Sequence, residues 1–445
     1  MNFANIIKQL DEKGHLAHVK SEVDPVHELA GIAKAMEGGE KAVIFENVKG
    51  MQFPVVCGIW WNRDIIGAMF DTPAADVPAF FGSAVKSFKA NPVEPIIVED
   101  APCQEVVSLE PNLYELTVPT LALEDGGPYF SNSVIIAKDP DTGVRNTSIH
   151  RVMISGKDHC CMLMDMGRHL RSYYERAEAK GEPLEITINN GVDPAVYVSA
   201  IAGGTAINED ELGVAAALRG EPVMLSRSKT VSVEGIAEAQ VVIEARIMPG
   251  IREPEGPFGE VSGYYAQRAD RWVVEVSAIT RRENPVMHTL LPGKEVWNSI
   301  GTTSEADILS KIQAQVPGVK NVHLTHGNCA TYGAVVQMEP VRPGMGKLAM
   351  MAAFAAMPPM KMVTVVNSDI DIFDTEEVMR AITTRCDPAK DMVIIPNAAL
   401  HELNPCTDMG FGTKIGFDCT VHFGEEARNK KVGFASVDLD DYDIS

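Results

Sequence analysis

The sequence lacks the motifs of several common enzyme and metal-binding classes. No Gly-x-Gly-x-x-Gly follows a strand pattern, and neither a Walker phosphate-binding loop nor a Gly-x-Ser-x-Gly turn occurs. His401-Glu402 begins like the helix of a zinc protease, but the second histidine is missing and Pro405 would break the helix. The eight cysteines form no Cys-x-x-Cys pair, which argues against a thiolate zinc site.

Cations and long apolar runs are also scarce. The chain has 39 Lys and Arg against 61 Asp and Glu, a formal net charge of −22 that repels nucleic acid and anionic membranes. The longest plainly apolar run, Leu348 to Met357, stops at Pro358-Pro359 and is too short to span a bilayer. Because no secretory signal opens the sequence, we expect a cytoplasmic protein with reduced, mostly buried thiols.

What the sequence does contain is material for a large folded protein of two or three domains. It has 445 residues, of which 45% are hydrophobic. Helical and strand patterns alternate up to about Pro111, consecutive hairpin patterns follow from Asn112, and the alternation returns past about Gly301. The patterns predict a multidomain α+β protein with an N-terminal α/β domain (1–111), a central antiparallel sheet or barrel (112–300) and a C-terminal α/β domain (301–445).

Two local patterns bear on the details. Asp24-Pro25 predicts a helix that starts with Asp24 as N-cap and continues to Met36. Val144 to Ile154 predicts one strand that carries both Asn146 and Arg151. These two residues are five positions apart, so a flat strand would place them on opposite faces. A bulge or a strong twist must intervene if both serve one site.

The segment Glu255-Gly-Pro-Phe-Gly-Glu260 places two carboxylates five residues apart. Its glycines and proline exclude a plain helix or a central strand, so it predicts a tight loop that turns both acids toward a common space. Two acids in one pocket do not ionise independently, and one then keeps a proton near neutral pH, as a general acid requires. Taken alone, a Gly/Pro turn with two solvated glutamates is the simpler interpretation.

Candidate metal ligands are spread over three segments. Asn146, His169 and Glu211 offer an amide oxygen, an imidazole and a carboxylate, which suit Mn²⁺ or Mg²⁺. Nothing in their spacing requires a metal, since His169 could be a buried histidine and Glu211 a helix-start acid favoured by the dipole. Arg151 could likewise be a structural ion-pair partner.

A second acidic cluster follows a predicted strand near the C-terminal end. Asp369, Asp371 and Asp374 could bind a divalent cation, but such alternation at a strand end is more typical of solvated charge.

Several segments occur in the order and approximate spacing of the UbiD-type decarboxylases, and the chain resembles that family over nearly its whole length. The segments are Asn146–Arg151, Arg168-His169, Asn208–Glu211 with Leu218–Gly220, Glu255–Tyr265, Asp369–Ile372 and Thr383–Pro388. The combination of Glu-Gly-Pro-Phe-Gly-Glu with Asn-x-x-x-x-Arg is highly specific. The resemblance implies three domains, of which the central one is a split β-barrel of the flavin-reductase type.

The resemblance also implies a cofactor and a set of site residues. The cofactor is prenylated flavin mononucleotide (prenylated FMN), with its phosphate held through Mn²⁺ and K⁺. The implied metal ligands are Asn146, His169 and Glu211. The implied cofactor-binding residues are Asn146, Ser148, Ile149, His150, Arg151, Arg168, His169 and Lys361. The implied catalytic residues are Arg151, Glu255 and Glu260.

The implied chemistry is physically coherent. Loss of CO₂ from an aromatic or vinylic carbon leaves electrons in an sp² orbital without a neighbouring sink, and side chains do not supply one. The resemblance implies that a covalent adduct between substrate and flavin provides the sink, that Glu260 donates the proton, and that Arg151 orients the substrate and holds one glutamate ionised. We therefore predict a carboxy-lyase for an aromatic, heteroaromatic or α,β-unsaturated acid, reversible at high CO₂.

Partners and alternatives complete the prediction. The family resemblance implies a UbiX-type flavin prenyltransferase as cofactor supplier and a homodimer or higher homo-oligomer. A flavin-dependent reductase on the same barrel, and a non-catalytic subunit of a larger carboxylase, remain open as alternatives. A further hypothesis is that His288 or Lys294 binds a polar group of a small aromatic or heteroaromatic substrate.

Overall fold

The computed structural model describes residues 2–202, 205–408, 410–438 and 442. The elements that precede the predicted β domain are α1 (Phe3–Glu12), β1 (Leu16–Val19), α2 (Glu28–Met36), β2 (Ala42–Phe45), β3 (Val55–Cys57), α3 (Arg63–Phe70), α4 (Val77–Ala90), β4 (Ile96–Val98) and β5 (Val106–Ser108).

The central part is rich in strands. Its elements are β6 (Tyr129–Phe130), β7 (Val134–Lys138), β8 (Arg145–Ile149), β9 (Val152–Ile154), β10 (His159–Met162), α5 (His169–Ala179), β11 (Leu184–Asn190), α6 (Pro194–Ile201), α7 (Leu212–Arg219), β12 (Met224–Ser226), β13 (Gly235–Ile236), β14 (Val241–Glu255), β15 (Phe258–Gly259), β16 (Tyr265–Ala266), β17 (Ala269–Arg281) and β18 (Met287–His288).

Helices and strands alternate again in the C-terminal part. Its elements are α8 (Lys294–Gln313), β19 (Val319–His323), β20 (Gly333–Met338), α9 (Met345–Ala356), β21 (Met362–Val366), α10 (Thr375–Arg385), α11 (Pro388–Asp391), β22 (Met392–Ala399) and β23 (Phe411–Cys419).

A curled antiparallel sheet forms the centre of the molecule. Its strands follow the order β6-β9-β10-β17-β14-β11-β7-β8, and β5 pairs with β17 at the side. The long strands β14 and β17 shift register between Glu244 and Ala245 and again between Ile247 and Arg252, and such irregularities bend a sheet. The sheet is therefore a half-barrel, and the predicted multidomain α+β fold is confirmed.

Two smaller sheets flank the half-barrel in sequence. The N-terminal sheet has the order β1-β2-β3-β18, so the chain returns to it after the central strands. The C-terminal sheet has the order β19-β20-β21-β23-β22. One hydrophobic core reaches from Phe3 to Leu291 and so joins the N-terminal and central parts, while the C-terminal part packs around separate cores.

Helix α8 connects the two halves of this arrangement. It contacts α4 and α6 on one side and α9 and β19 on the other. It also runs across position 300, where the sequence analysis placed a domain boundary, and β5 joins the central sheet although it precedes position 112. The domain limits themselves stay a prediction.

The helix predicted to start at Asp24 begins later than expected. Helix α2 starts at Glu28, with His27 rather than Asp24 in the N-cap position. The Asp24 carboxylate instead accepts the N–H of Val26 at 2.9 Å and closes a turn. The Val26 side chain, predicted on the apolar face of the helix, is 52% exposed.

Within the described ranges, no helix combines the length and the apolar composition that crossing a bilayer requires.

A buried ion pair ties α8 to the N-terminal part and provides a stability test. The Glu305 carboxylate accepts bonds from Arg63 Nη2 at 2.7 and 2.8 Å, and His323 Nδ1 lies 2.8 Å from Oε1. We expect Glu305→Gln to lower the free energy of unfolding by about 3 kcal/mol, because it leaves a half-buried guanidinium without its counter-charge. Urea denaturation followed by tryptophan fluorescence measures the change.

The matched control is Glu12→Gln. Glu12 is 65% exposed and lies 3.6 Å from Lys8 Nζ on the surface of α1. This pair should contribute almost nothing, because solvent screens it. Equal shifts of the urea midpoint in the two variants would contradict the assignment of Glu305 as a buried anchor.

Candidate active site

Arg151 and Glu255 form a buried, doubly hydrogen-bonded ion pair. Arg151 Nε donates to Glu255 Oε1 at 3.0 Å and Nη2 donates to Oε2 at 2.9 Å. Tyr129 Oη adds a third bond to Glu255 Oε1 at 2.8 Å. Glu255 has no solvent exposure. Paired guanidinium and phenol donors thus satisfy a carboxylate that would otherwise be costly to bury.

The same guanidinium also holds Glu260. Arg151 Nη1 donates to Glu260 Oε1, whose side chain is only 11% exposed. The Phe258 ring lies beneath the guanidinium, 5.2 Å from its central carbon, and packs against Tyr129. The structure therefore brings Arg151, Glu255 and Glu260 into one network, as the sequence analysis expected.

The tight loop between the two glutamates depends on its glycine. Gly256 has a φ of +96°, and a Cβ there would lie 3.2 Å from the Cα of Arg268. A second turn follows at Glu260, which exchanges backbone hydrogen bonds with Tyr264 and Gly263. The loop consequently turns Glu260 back toward the end of β14, where Glu255 lies.

The two acids differ in their environment. Burial raises the pKa of Glu260 above its usual value, the charge and hydrogen bond of Arg151 oppose that shift, and Asp165 adds to it. Burial disfavours the charge of Arg151, but Glu260 and Glu255 raise its pKa, so the guanidinium remains charged. The surroundings of Glu260 therefore favour its protonated form.

Asn146, His169 and Glu211 converge from three separate segments. Glu211, directly before α7, accepts the side-chain N–H of Asn146 at 3.0 Å and the backbone N–H of Thr147 at 2.9 Å. His169 Nδ1, at the start of α5, lies 3.4 Å from Glu211 Oε1. Asn146 and His169 thus both lie within hydrogen-bond range of the Glu211 carboxylate, so the three residues expected to act together are neighbours.

The predicted strand is broken between Asn146, which contacts Glu211, and Arg151, which contacts Glu255 and Glu260. Strand β8 ends at Ile149 and β9 begins at Val152, so His150 and Arg151 lie outside regular pairing. This break provides the irregularity that the spacing of Asn146 and Arg151 required. One continuous strand from 144 to 154 was therefore the wrong expectation.

The residues predicted to hold a cofactor differ in their burial and in their hydrogen-bond partners. Ser148 donates to Asn146 Oδ1 at 3.2 Å, and Ile149 is partly buried at the end of β8. His150 Nδ1 bonds to the Leu163 carbonyl at 3.1 Å, and burial, followed by the charge of Arg168, lowers the pKa of His150 to about 4. Arg168 precedes α5 with its side chain exposed.

Lys361 belongs to the C-terminal part. It directly precedes β21, is half-buried, and donates its backbone N–H to the carbonyl of Tyr332 at 2.6 Å. Its role toward a cofactor stays a prediction.

The side chains of His288 and Lys294 contact residues other than Arg151, Glu255 and Glu260. The His288 ring packs between Phe3 and Tyr197 at centroid distances of 5.1 and 6.5 Å, and burial lowers its pKa to about 3. The Lys294 side chain lies against Gly38. The contacts of His288 are those of a core residue and weigh against the hypothesis that it binds substrate.

The three aspartates after β21 each have a structural partner. Asp369 pairs with Arg385 at 2.6 and 2.9 Å, Asp371 accepts the N–H of Phe373, and Asp374 caps α10. Among the residues described, no group of three or more His, Cys, Asp or Glu side chains could hold a metal ion. Solvated and paired charge is therefore the better interpretation of this cluster.

Sequence reasoning missed several neighbours of the acids. Tyr129 binds Glu255, and Trp297 Nε1 donates to the carbonyl of Val261, next to Glu260, at 2.9 Å. Asp165 and Tyr332 also lie close enough to influence the site electrostatically. None has a local sequence signal, since their positions follow from strand pairing and from the packing of the C-terminal part.

The fold and the acid–arginine–acid network define a class of carboxy-lyase, and comparison with known proteins identifies it. Family models match residues 7–85, 96–295 and 298–419 as the N-terminal, Rift-related and C-terminal domains of 3-octaprenyl-4-hydroxybenzoate carboxy-lyase. The chain therefore belongs to the UbiD family. UbiD-class enzymes are carboxy-lyases, and this protein is accordingly a decarboxylase.

Individual relatives agree with this assignment. The chain is 34% identical over 426 residues to anhydromevalonate phosphate decarboxylase of Methanothermobacter thermautotrophicus, covering 95% of this chain and 98% of the relative. It is 30% identical over 467 residues to gallate decarboxylase of Lactiplantibacillus plantarum, covering 94% and 93%.

The solved structure of the UbiD-class enzyme HmfF from Pelotomaculum thermopropionicum in complex with FMN has a TM-score of 0.94 and 38% identity, covering 99% of this chain and all of that one. A dimeric evolved form of HmfF is in complex with prFMN (TM-score 0.89, 38% identity, 99% of each chain).

Tyr129 offers a test of the network that does not depend on a substrate. We expect Tyr129→Phe to lower the free energy of unfolding by about 1–3 kcal/mol, because a fully buried carboxylate loses one of its donors. Urea denaturation measures the loss. Tyr114→Phe is the control, since Tyr114 is exposed, and an equal effect of both substitutions would argue against the hydrogen bond.

Proposed function

We propose that this protein decarboxylates an aromatic, heteroaromatic or α,β-unsaturated carboxylic acid without net redox change, using prenylated FMN, and that Glu260 donates the proton. The observation that carries the proposal is the network in which one arginine binds two carboxylates, of which Glu260 has the raised pKa. A buried acid that keeps its proton, fixed by a permanent cation, is suited to general acid catalysis.

The residues present fit a flavin. His150 Nε2 and Thr147 Oγ1 are buried without a hydrogen-bond partner among the described residues, although they lie in the segment that leads to Arg151. A buried polar atom without a partner requires an explanation, and a bound ligand would provide one for these two atoms. Ser148, Ile149 and His150 would hold the cofactor together with Arg168, and Lys361 would add a cation from the C-terminal part.

When bound, the prenylated flavin would supply a covalent electron sink that side chains lack. The remaining work falls to the chain itself. Arg151 binds Glu255 through two hydrogen bonds and orients Glu260 through a third. After CO₂ leaves, the proton of the Glu260 carboxyl group passes to the substrate carbon, and the resulting carboxylate regains a proton from solvent. The nearly dry surroundings strengthen each of these electrostatic interactions.

Asn146, His169 and Glu211 would hold Mn²⁺ at the cofactor phosphate, with K⁺ beside it. An amide, an imidazole and a carboxylate that are directed at one position form a suitable donor set for such a cation. The Asn146 side chain now directs its N–H group at Glu211, and a half-turn of the amide would present its oxygen to the same place. The cation would also offset the phosphate charge within a strongly acidic protein.

The direct test is co-expression with a UbiX-type flavin prenyltransferase, followed by assays with hydroxybenzoic, furoic, pyrrole, indole and cinnamic acids. CO₂ release without consumption of pyridine nucleotide is expected, and mass spectrometry of the extracted flavin should detect the prenylated form. Turnover of a pyridine nucleotide instead would favour the flavin-dependent reductase. Release of CO₂ from none of these acids by the flavin-loaded protein would favour the non-catalytic subunit. Size-exclusion chromatography of the same preparation measures whether the enzyme is a homodimer or a larger homo-oligomer.

Glu260→Gln should reduce kcat at least about 100-fold, because the amide has no proton of suitable acidity to donate. Steady-state CO₂ release measures this. Glu253→Gln is the matched control, since Glu253 lies on the same strand segment before the loop and its side chain is 43% exposed. Near-normal kcat in Glu260→Gln would remove Glu260 as proton donor.

The pH dependence has a definite sign. Glu260 donates only when protonated, so kcat/KM should fall as the pH rises through its pKa, and burial places that pKa above the usual range of a glutamate near 4.3. The wild-type profile should therefore keep activity well above pH 4.3 before it declines. A decline centred at or below pH 4.3 would contradict the raised pKa.

Glu211→Gln should reduce bound Mn²⁺, since it removes the charged member of the donor set. Metal analysis of the purified holoenzyme measures the manganese-to-protein ratio independently of activity. Glu175→Gln, on the exposed surface of α5, serves as the control. Unchanged manganese in Glu211→Gln would refute the proposed metal site.

A further inference from the structure

Asp165 is a carboxylate that the proposed chemistry does not use. It follows β10 and precedes α5, and its Oδ1 atom is buried without a hydrogen-bond donor in the described part of the chain. It is close enough to Glu260 to raise the pKa of that acid. The open oxygen therefore belongs to a carboxylate within electrostatic range of the proposed proton donor.

Tyr332 presents a second unpartnered group to the same place from the C-terminal part. It is 8% exposed, and its hydroxyl is buried without a partner among the groups described. The carbonyl of Tyr332 accepts backbone bonds from Lys361 at 2.6 Å and Met362 at 2.9 Å, which fix the start of β20. Its ring lies 6.0 Å from that of His401, and its hydroxyl is in electrostatic range of Glu260 and Asp165.

The surroundings of Asp165 favour its ionised form. Burial opposes ionisation, but a hydrogen bond with Glu402 and the charges of His401 and Arg168 lower the pKa of Asp165 below its usual value. Burial and Asp165 raise the pKa of Glu402, so Glu402 takes up a proton before Asp165 does. Asp165 Oδ1 is consequently an anionic acceptor that still lacks a donor.

Such an acceptor discriminates between ligands. A buried anion without a donor is unfavourable, so a ligand that supplies a neutral O–H or N–H gains a charge-assisted hydrogen bond. A ligand with a second carboxylate or a phosphate at this place would be repelled by Asp165. A ligand with only an ether oxygen or a C–H there would leave the acceptor unpaired.

We propose that Asp165 determines substrate specificity by accepting a hydrogen bond from a neutral donor on the substrate, with Tyr332 as its partner from the C-terminal part. The substrate is then an aromatic or heteroaromatic acid that carries a phenolic hydroxyl or a ring N–H, rather than a diacid or a phosphorylated acid. This inference deepens the proposed function and rests on it.

The test compares ring systems that differ in a single donor. Holoenzyme is assayed with pyrrole-2-carboxylate, furan-2-carboxylate and furan-2,5-dicarboxylate. We expect kcat/KM for the pyrrole acid to exceed that for the furan acid about tenfold or more, with the diacid poorest. The ratio of two specificity constants cancels differences in cofactor loading and active fraction, so a merely structural effect would not move it.

Variants then assign the preference to Asp165. Asp165→Leu should bring the pyrrole-to-furan ratio close to one, while Asp165→Asn, which keeps an acceptor oxygen, should retain part of it and tolerate the diacid better. Tyr332→Phe should reduce the same ratio by a smaller factor. Asp158→Leu is the control, since Asp158 is 53% exposed in the turn before β10 and should leave the ratio unchanged.

Binding provides a readout besides activity. Calorimetric titration of the holoenzyme with pyrrole-2-carboxamide and furan-2-carboxamide, which have no carboxylate to lose, should show the same preference, and Asp165→Leu should abolish it. A wild-type ratio near one, a preference for the diacid, or an unchanged ratio in Asp165→Leu would overturn the inference. If the holoenzyme released CO₂ from none of the acids, the proposed function would fail, and the titration would still decide the role of Asp165.

Discussion

The site depends on a single guanidinium that faces two carboxylates away from water. One positive charge neutralises only one buried anion, and Glu255 already takes two of the hydrogen bonds of Arg151 together with that of Tyr129. Glu260 therefore reaches the same cation as the acid whose charge is less fully compensated, and burial raises its pKa. Two chemically identical side chains thus have different surroundings, set by the number and direction of the donors around each.

The scaffold supplies these positions through two different kinds of packing. The N-terminal and central parts share one core, which fixes the half-barrel strands that carry Arg151 and Glu255. The C-terminal part has its own cores and approaches the site through a few polar contacts, such as the bond from Trp297 to the carbonyl of Val261. Arg151 and Glu255 thus lie in or beside strands of the shared core, and the contact with the Glu260 loop comes from a separately packed part.

The sequence allowed the acids, the arginine and the metal-ligand candidates to be predicted, because these residues occur in short segments with a specific order. It also indicated that Asn146 and Arg151 need an irregular strand between them, and the break after Ile149 has that effect. It failed where position depends on distant partners. Asp24 has a good capping side chain, yet the backbone of residues 25–27 pairs with Thr120 and delays the start of the helix. His288 or Lys294 was proposed as a substrate contact because the stretch has few other cations, and the packing of the His288 ring against Phe3 and Tyr197 weighs against that residue. Asp165 and Tyr332 belong to no local sequence motif. Asp165 acts on Glu260 and Tyr332 is influenced by Asp165, and each of these pairs is more than 90 residues apart in sequence.

Helix α8 links the two packing units without a loop between them. Its 20 residues correspond to a rod of about 30 Å. Glu305 anchors the middle of this rod to Arg63, and Trp297 near its first turn holds the backbone beside Glu260. Because this one helix packs against elements of both parts, a change in the angle between them requires the helix to bend or the Arg63–Glu305 pair to break.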